Sequence, residues 1–134
     1  MDVRLPYKAT HGFDALYGLE ILSADADTVT GVVPVRDELK QPAGLVHGGV
    51  YAAISESLAS LGTWFQVMSE GKAAMGLANQ TSFLRPITEG SIHAEATALH
   101  RGRTTWVWDV RITDDDGRLC AVTRMTIAVR KPRS

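Results

Sequence analysis

The sequence predicts an α+β fold in which an antiparallel sheet curls around one long helix. Three observations carry that expectation. From His47 to about Ser69, apolar side chains recur at Val50, Ile54, Leu58, Leu61, Phe65 and Met68, in steps of three and four. On either side of that stretch the period falls to two, as strands require. The helical stretch also lacks the charged face of a surface helix: no basic residue lies between Lys40 and Lys72, and its only acids are Glu56 and Glu70. The positions opposite the apolar stripe are Gly49, Ala52, Ala53, Ala59, Ser60 and Thr63, with Glu56 among them. Small residues admit close neighbours, so the helix is expected to be wrapped by sheet and covered on its far side by a second subunit.

The elements follow in order. Residues 1–8 read as a loose terminal segment, and 11–18 as a short helix ended by Gly18. Residues 19–24 and 28–36 alternate as two strands joined by an acidic turn, and Pro42 and Gly44 make 37–44 a loop. Gly71 stops the long helix. Residues 73–86, 91–100, 103–113 and 118–130 then read as four strands, with turns at Arg101-Gly102 and Asp114-Asp-Asp-Gly117. The expected layout is two strands, the helix, and a four-strand antiparallel meander in one domain spanning 1–134.

Composition narrows the function classes. With 45% hydrophobic and 22% charged residues, 134 residues suffice for a core without disulfides or metal. A formal charge of −1 argues against a general nucleic-acid binder. The single cysteine, Cys120, excludes an internal disulfide and a multi-cysteine zinc site. No apolar run reaches about 18 residues, and no signal-peptide core follows Met1, so a soluble cytoplasmic protein without membrane contact is expected. Charge is uneven, however: residues 1–81 carry net −4 and residues 82–134 net +3. A solvated face and an anion site both fit that asymmetry.

Glu56 is the first candidate for chemistry. Taking an ionised carboxylate out of water costs several kcal/mol unless it is paired, and no cation lies within one helical turn of it. An ordinary, partly exposed helix glutamate and a catalytic base or nucleophile are both open, and the small uncharged neighbours favour the second. The start of the same helix, Leu45-Val46-His47-Gly48-Gly49, places glycines where first-turn amides lack intrahelical partners. Such amides can hold an anion or a carbonyl, and Gly49 lets a ligand come close. A flexible loop before the helix and a simple capping role for His47 remain alternatives. Taken with Glu56 two turns on, the set describes a carbonyl polariser and a carboxylate, which suits acyl transfer to water.

The stretch Gln41-Pro-Ala-Gly-Leu-Val-His47-Gly48-Gly49-Val-Tyr-Ala-Ala-Ile-Ser-Glu56-Ser-Leu-Ala-Ser60 resembles the hotdog-fold acyl-CoA thioesterases of the PaaI-like group. It is similar to the glutamate-dependent type acting on 4-hydroxybenzoyl-CoA, and to relatives acting on 1,4-dihydroxy-2-naphthoyl-CoA and on aryl carrier-protein thioesters. The likeness continues through 79–86, 100–103 and 117–119. It implies a hotdog fold and hydrolysis of an acyl- or aryl-CoA thioester without metal or redox cofactor. By resemblance, the Gly48 amide polarises the thioester carbonyl and Glu56 is general base or nucleophile. Gln41 orients thioester or water, His47 supports the carbonyl or thiolate side, and Ser60 holds the water. The glycine side and the glutamate side come from different subunits of a dimer or dimer of dimers, with a homotetramer preferred. Arg85 stands where the family often has a CoA-contacting arginine, and Arg101 and Arg103 flank a turn; each is a candidate for the CoA phosphates or a solvated edge charge. Phe83 stands where relatives carry histidine, so an apolar or stacking contact replaces a polar one there.

Other readings are kept beside this one. Hotdog dehydratases are disfavoured, because no aspartate lies between Asp37 and Asp109. A non-catalytic acyl-CoA-binding protein and a thioesterase for carrier-protein substrates remain, and the acyl group stays open. His11, His93 and His100 lack metal-ligand spacing, with His93 and His100 expected on opposite faces of one strand. Trp106 and Trp108 are expected in sheet packing, Trp64 and Phe65 in the core, and Cys120 buried and inert.

Overall fold

The computed structural model describes residues 4–132. One long helix, α2 (Gly48–Val67), lies against a single antiparallel sheet of seven strands. These are β1 (Tyr7–Lys8), β2 (Glu20–Ala24), β3 (Thr28–Pro34), β4 (Ala73–Phe83), β5 (Ser91–Arg101), β6 (Thr105–Thr113) and β7 (Leu119–Arg130), with a short helix α1 (Gly12–Tyr17) before β2. The order across the sheet is β1-β2-β3-β5-β6-β7-β4. Among the described residues no helix is long and apolar enough to cross a membrane.

The expected four-strand meander is corrected to three strands. β5, β6 and β7 are successive neighbours, but β4 pairs with β7 and not with β5. The reason lies in edge availability. β3 runs against β5 from Thr28↔Thr97 to Pro34↔Ser91, so only the β7 edge is open to the strand that leaves the helix. Tyr7 and Lys8, expected in a loose segment, form a short edge strand against β2; residues 1–3 of that segment lie outside the described residues. Helix ends match the expectation: Gly18 has φ 81, and Gly71, with φ 71, closes a 3-10 turn at Met68–Glu70 after α2.

The buried face of α2 is rotated from the expected stripe. Buried positions include Tyr51, Ile54, Ser55, Leu58, Ala59, Gly62 and Thr63, whereas Val50, Leu61, Phe65 and Met68 are only partly buried. Ala59 and Thr63 therefore face the core and not an outer stripe. The sheet supplies the bulk, and the helix supplies the space. A Cβ at position 62 would stand 2.6 Å from Trp108 Cη2 and 2.8 Å from Val29 Cγ2. Trp108, fully buried, donates from Nε1 to Thr63 Oγ1 at 2.8 Å, and Thr63 Oγ1 donates to Ala59 O at 2.9 Å. Complete burial of such a large side chain contributes roughly 1.5–3 kcal/mol, and here its one polar atom keeps a partner.

Two bulges reset which side chains face the helix. In β4 the register shifts between Gly76 and Ala78, so Gly76 and Asn79, three residues apart, lie opposite buried Ile127 and Met125. In β5 a shift between Ala98 and His100 leaves His93 opposite Thr113 and His100 opposite Val107. Both histidines consequently lie on the outer face, which corrects the opposite-face expectation.

Candidate functional site

His47 caps α2. Its Nδ1 accepts from the Gly49 N–H at 2.8 Å, which places the proton of the neutral ring on Nε2. The Val50 N–H donates to His47 O at 3.0 Å. The Gly48 N–H has no acceptor among the described residues, so it is the free donor of this first turn, at the positive end of the helix. The ring of Phe83 lies on Gly48: a Cβ at position 48 would stand 2.7 Å from Phe83 Cε1.

The loop that carries Gln41 is fixed by its backbone. Gln41 N–H donates to Leu45 O at 2.8 Å, Gly44 N–H to Gln41 O at 2.9 Å, and His47 N–H to Leu39 O at 2.8 Å. The Gln41 side-chain oxygen accepts from the Ala43 N–H, which leaves the Nε2 hydrogens for a ligand. Gln41, Gly48, Tyr51, Phe83 and Arg85 line one groove of about 500 Å³. Arg85 is exposed there and forms no ion pair among the described residues. Tyr51 is 3% exposed, its hydroxyl lies toward the Ile87 backbone N–H without a hydrogen bond of normal geometry among the described residues, and burial pushes its phenol up.

Glu56 stands elsewhere. Within one chain it is exposed, so the cover expected over it has to come from a second subunit. It makes no ion pair or hydrogen bond among the described residues, and its carboxyl carbon would lie 3.5 Å from a Cβ at Gly76. Eight residues of helix rise separate it from Gly48, about 12 Å. Two groups that distant do not act on one thioester within a single chain. Ser60, partly buried, follows Glu56 by one turn on the same face. Next to Glu56, the helix is tied to α1: Ser57 Oγ donates to Asp14 Oδ1 at 2.6 Å, and Tyr17 OH donates to the same oxygen at 2.8 Å. Burial drives the Tyr17 phenol far above its usual range.

The basic candidates also divide. Arg101 and Arg103 line a separate groove at the C-terminal end of α2, with Gln66, Glu70, Lys72 and Trp106. Arg101 is committed to the β2–β3 turn, with Asp27 at 2.8 Å and Ala26 O at 3.2 Å. Arg103 has no ion pair among the described residues. Cys120 is buried, and burial pushes its thiol up. No cluster of three or more His, Cys, Asp or Glu is placed to hold a metal among the described residues. Sequence reasoning missed Tyr51, Gly76 and Asn79, because strict alternation cannot reveal the bulge that turns the last two toward the helix.

Comparison with known proteins gives this arrangement its family. The family model of the Thioesterase superfamily matches residues 43–121. The chain is 33% identical over 122 residues to the 1,4-dihydroxy-2-naphthoyl-CoA hydrolase of Listeria monocytogenes, covering 91% of this chain and 98% of that one. Among solved structures, a single-residue variant of thioesterase PA1618 from Pseudomonas aeruginosa superposes with a TM-score of 0.84 at 35% identity, covering 87% of this chain and 84% of that one. Thioesterase HI1161 from Haemophilus influenzae gives a TM-score of 0.80 at 31% identity, covering 95% and 96%. The long helix in its curved sheet is thus the hotdog fold, and the chain belongs to the thioesterase superfamily as a thioester hydrolase.

Proposed function

We propose that the protein hydrolyses an acyl- or aryl-CoA thioester in sites shared between two copies of the chain. The observation that carries this reading is the separation of two unpartnered groups on one helix, the free Gly48 N–H and the Glu56 carboxylate. The strand β4 offers the means to bring copies together. It is an edge strand of eleven residues whose outer backbone side has no neighbour in the sheet. Two copies joined along it by a two-fold axis run their helices in opposite directions. The Glu56 face of one then approaches the Gly48 face of the other.

In such a site the Gly48 N–H and the Gln41 Nε2 donate to the thioester oxygen, where negative charge develops. Glu56 of the other copy takes a proton from water as the water oxygen attacks the carbonyl carbon. The C–S bond then breaks, and the CoA thiolate leaves and is protonated. In the nucleophilic variant the carboxylate itself attacks, and water hydrolyses the resulting mixed anhydride. Ser60 holds the water and His47, with its proton on Nε2, faces the thiolate side. Arg85, beside the Gly48 groove, meets the CoA phosphates. Arg103 meets them from the C-terminal groove of the other copy, with Arg101 held to Asp27 as its support.

The test is Glu56→Gln in the purified protein, assayed by release of free CoA thiol over a panel of acyl and aryl thioesters. A loss in kcat of at least about 100-fold with unchanged folding is expected. Near-wild-type turnover would remove Glu56 from the mechanism. Running the panel with carrier-protein thioesters in parallel decides between the two substrate carriers.

A further inference from the structure

The bulge in β4 has an effect on the helix that none of the roles above uses. Because the register shifts between Gly76 and Ala78, Gly76, Asn79 and Thr81 all face α2. A Cβ at Gly76 would stand 2.9 Å from Met125 Cε and in ordinary contact, 3.5 Å, with the Glu56 carboxyl carbon, so the glycine makes room for Met125 with Glu56 beside it. Asn79 Nδ2 donates to Ala52 O at 2.9 Å. In an α-helix that carbonyl is also the acceptor for the N–H four residues on, which belongs to Glu56. The side chain of Asn79 therefore grips the turn that ends at Glu56.

Its orientation is set by a chain of single protons. Thr81 Oγ1 donates to Asn79 Oδ1 at 2.7 Å, which uses its only hydrogen. The 2.9 Å contact between Thr81 and Thr123 hydroxyls must then be donated by Thr123. Thr123 Oγ1 and the Tyr51 carbonyl both stand 2.9 Å from Ser55 Oγ, whose one hydrogen they share. The sequence of donors runs Thr123, Thr81, Asn79 and ends on Ala52 O. Ser55, against its first member, and Ala52, at its end, stand on one turn of α2 beside Glu56. Ser55 and Thr123 are 0% and 1% exposed, so water does not replace the link between them without disturbing the core.

We infer that Asn79 is a positioning residue for Glu56: with Thr81 and Thr123 behind it, it fixes the height of the Glu56 turn against the edge strand. This rests on the reading of Glu56 as the group that acts on water or thioester. Displacing a reacting group by about 1 Å can cost up to about 100-fold in rate, so the role belongs in kcat and not in KM.

The experiment is a double-mutant cycle on the full-length protein. Asn79→Ala is measured in the wild-type and Glu56→Gln backgrounds, with the thioester giving the fastest turnover. The expected result is a roughly tenfold or greater loss of kcat, with KM within about twofold, in the wild-type background, and little further loss in Glu56→Gln. Thr81→Val, which removes the donor that orients Asn79, is expected to give a smaller loss of the same kind. It carries the test if Asn79→Ala does not fold. Equal losses in both backgrounds, or a loss confined to KM, overturn the inference. The Glu56→Gln single variant separates the two failures: if that variant is active, the reading of Glu56 falls first.

Discussion

Gly48 holds the least tolerant position at the site. Its N–H has no acceptor among the described residues, and the Phe83 ring occupies the space a side chain would need. Gly48→Ala keeps the amide but forces either the ring or the helix end to move. Turnover is expected to fall at least about tenfold, since removing an oxyanion donor outright costs about 100- to 1,000-fold. Adding Phe83→Ala should return part of it, which steady-state kinetics on both variants would reveal. Arg85 differs in kind, because an exposed cation contributes only roughly 0.2–1 kcal/mol per contact. Arg85→Ala should raise KM several-fold with kcat nearly unchanged on a CoA thioester, the pattern of lost uniform binding. A pantetheine thioester, which lacks the nucleotide, should be little affected; an equal loss on both would make Arg85 structural.

At the scale of elements, packing between α2 and the sheet sets stability. Gly62→Ala drives a methyl group into Trp108 and Val29, and such overpacking typically costs about 1–3 kcal/mol. Thermal melting should show the midpoint lowered by several degrees; an unchanged midpoint would mean the helix lifts freely. The β6–β7 turn offers a pH test. Some burial raises the Asp114 carboxyl, but the Arg118 backbone N–H, the Arg118 guanidinium and the Asp116 N–H outweigh it and hold the carboxyl below its ordinary value. A depressed folded value means that this stabilisation is complete above the unfolded value of about 3.9 and fades as pH falls through the folded one. The difference in melting midpoint between wild type and Asp114→Asn should be constant above about pH 5 and shrink in acid.

These elements were legible to different degrees. The long helix, its glycine stop and the hairpin turns follow from period and turn chemistry, and their observed bounds differ from expectation by few residues. The buried face of α2 was legible in part: Ile54 and Leu58 of the apolar stripe are fully buried, but Ser55, Ala59, Gly62 and Thr63 are buried with them because Trp108 and Met125 fill the space from the sheet. The placement of β4 depends on which sheet edge β3 leaves open, a tertiary fact. Gln41, Gly48 and Arg85 were brought to one groove. Arg101 and Arg103 were not, because linear proximity to a turn says nothing of which end of α2 that turn reaches.

The whole molecule is expected to be a pair or a pair of pairs, and light scattering should return a mass of two or four chains; an active monomer would contradict the shared site. A stronger check is complementation. Glu56→Gln and Gln41→Ala proteins, each impaired alone, should regain activity when unfolded together and refolded as a mixture. Mixed dimers contain one site with both defects and one with none, so recovery of about a quarter of wild-type activity is expected at random pairing. No recovery would place both groups in one chain.

The β4 edge carries a further consequence for the life of the chain before it pairs. Its sequence, Ala73–Phe83, has no charged residue and no proline, and exposes Met75 and Leu77 by more than half. Solitary proteins commonly guard such a border with lysine, proline or a covering loop. If two copies pair along this edge as proposed, a newly made copy is adhesive until it meets its twin, and any other extended segment competes for the same border. Substitutions that block pairing should send the protein to the insoluble fraction of a cell in place of a dissolved, idle monomer. Charge placed at Leu77 would then cost yield before it cost activity per molecule.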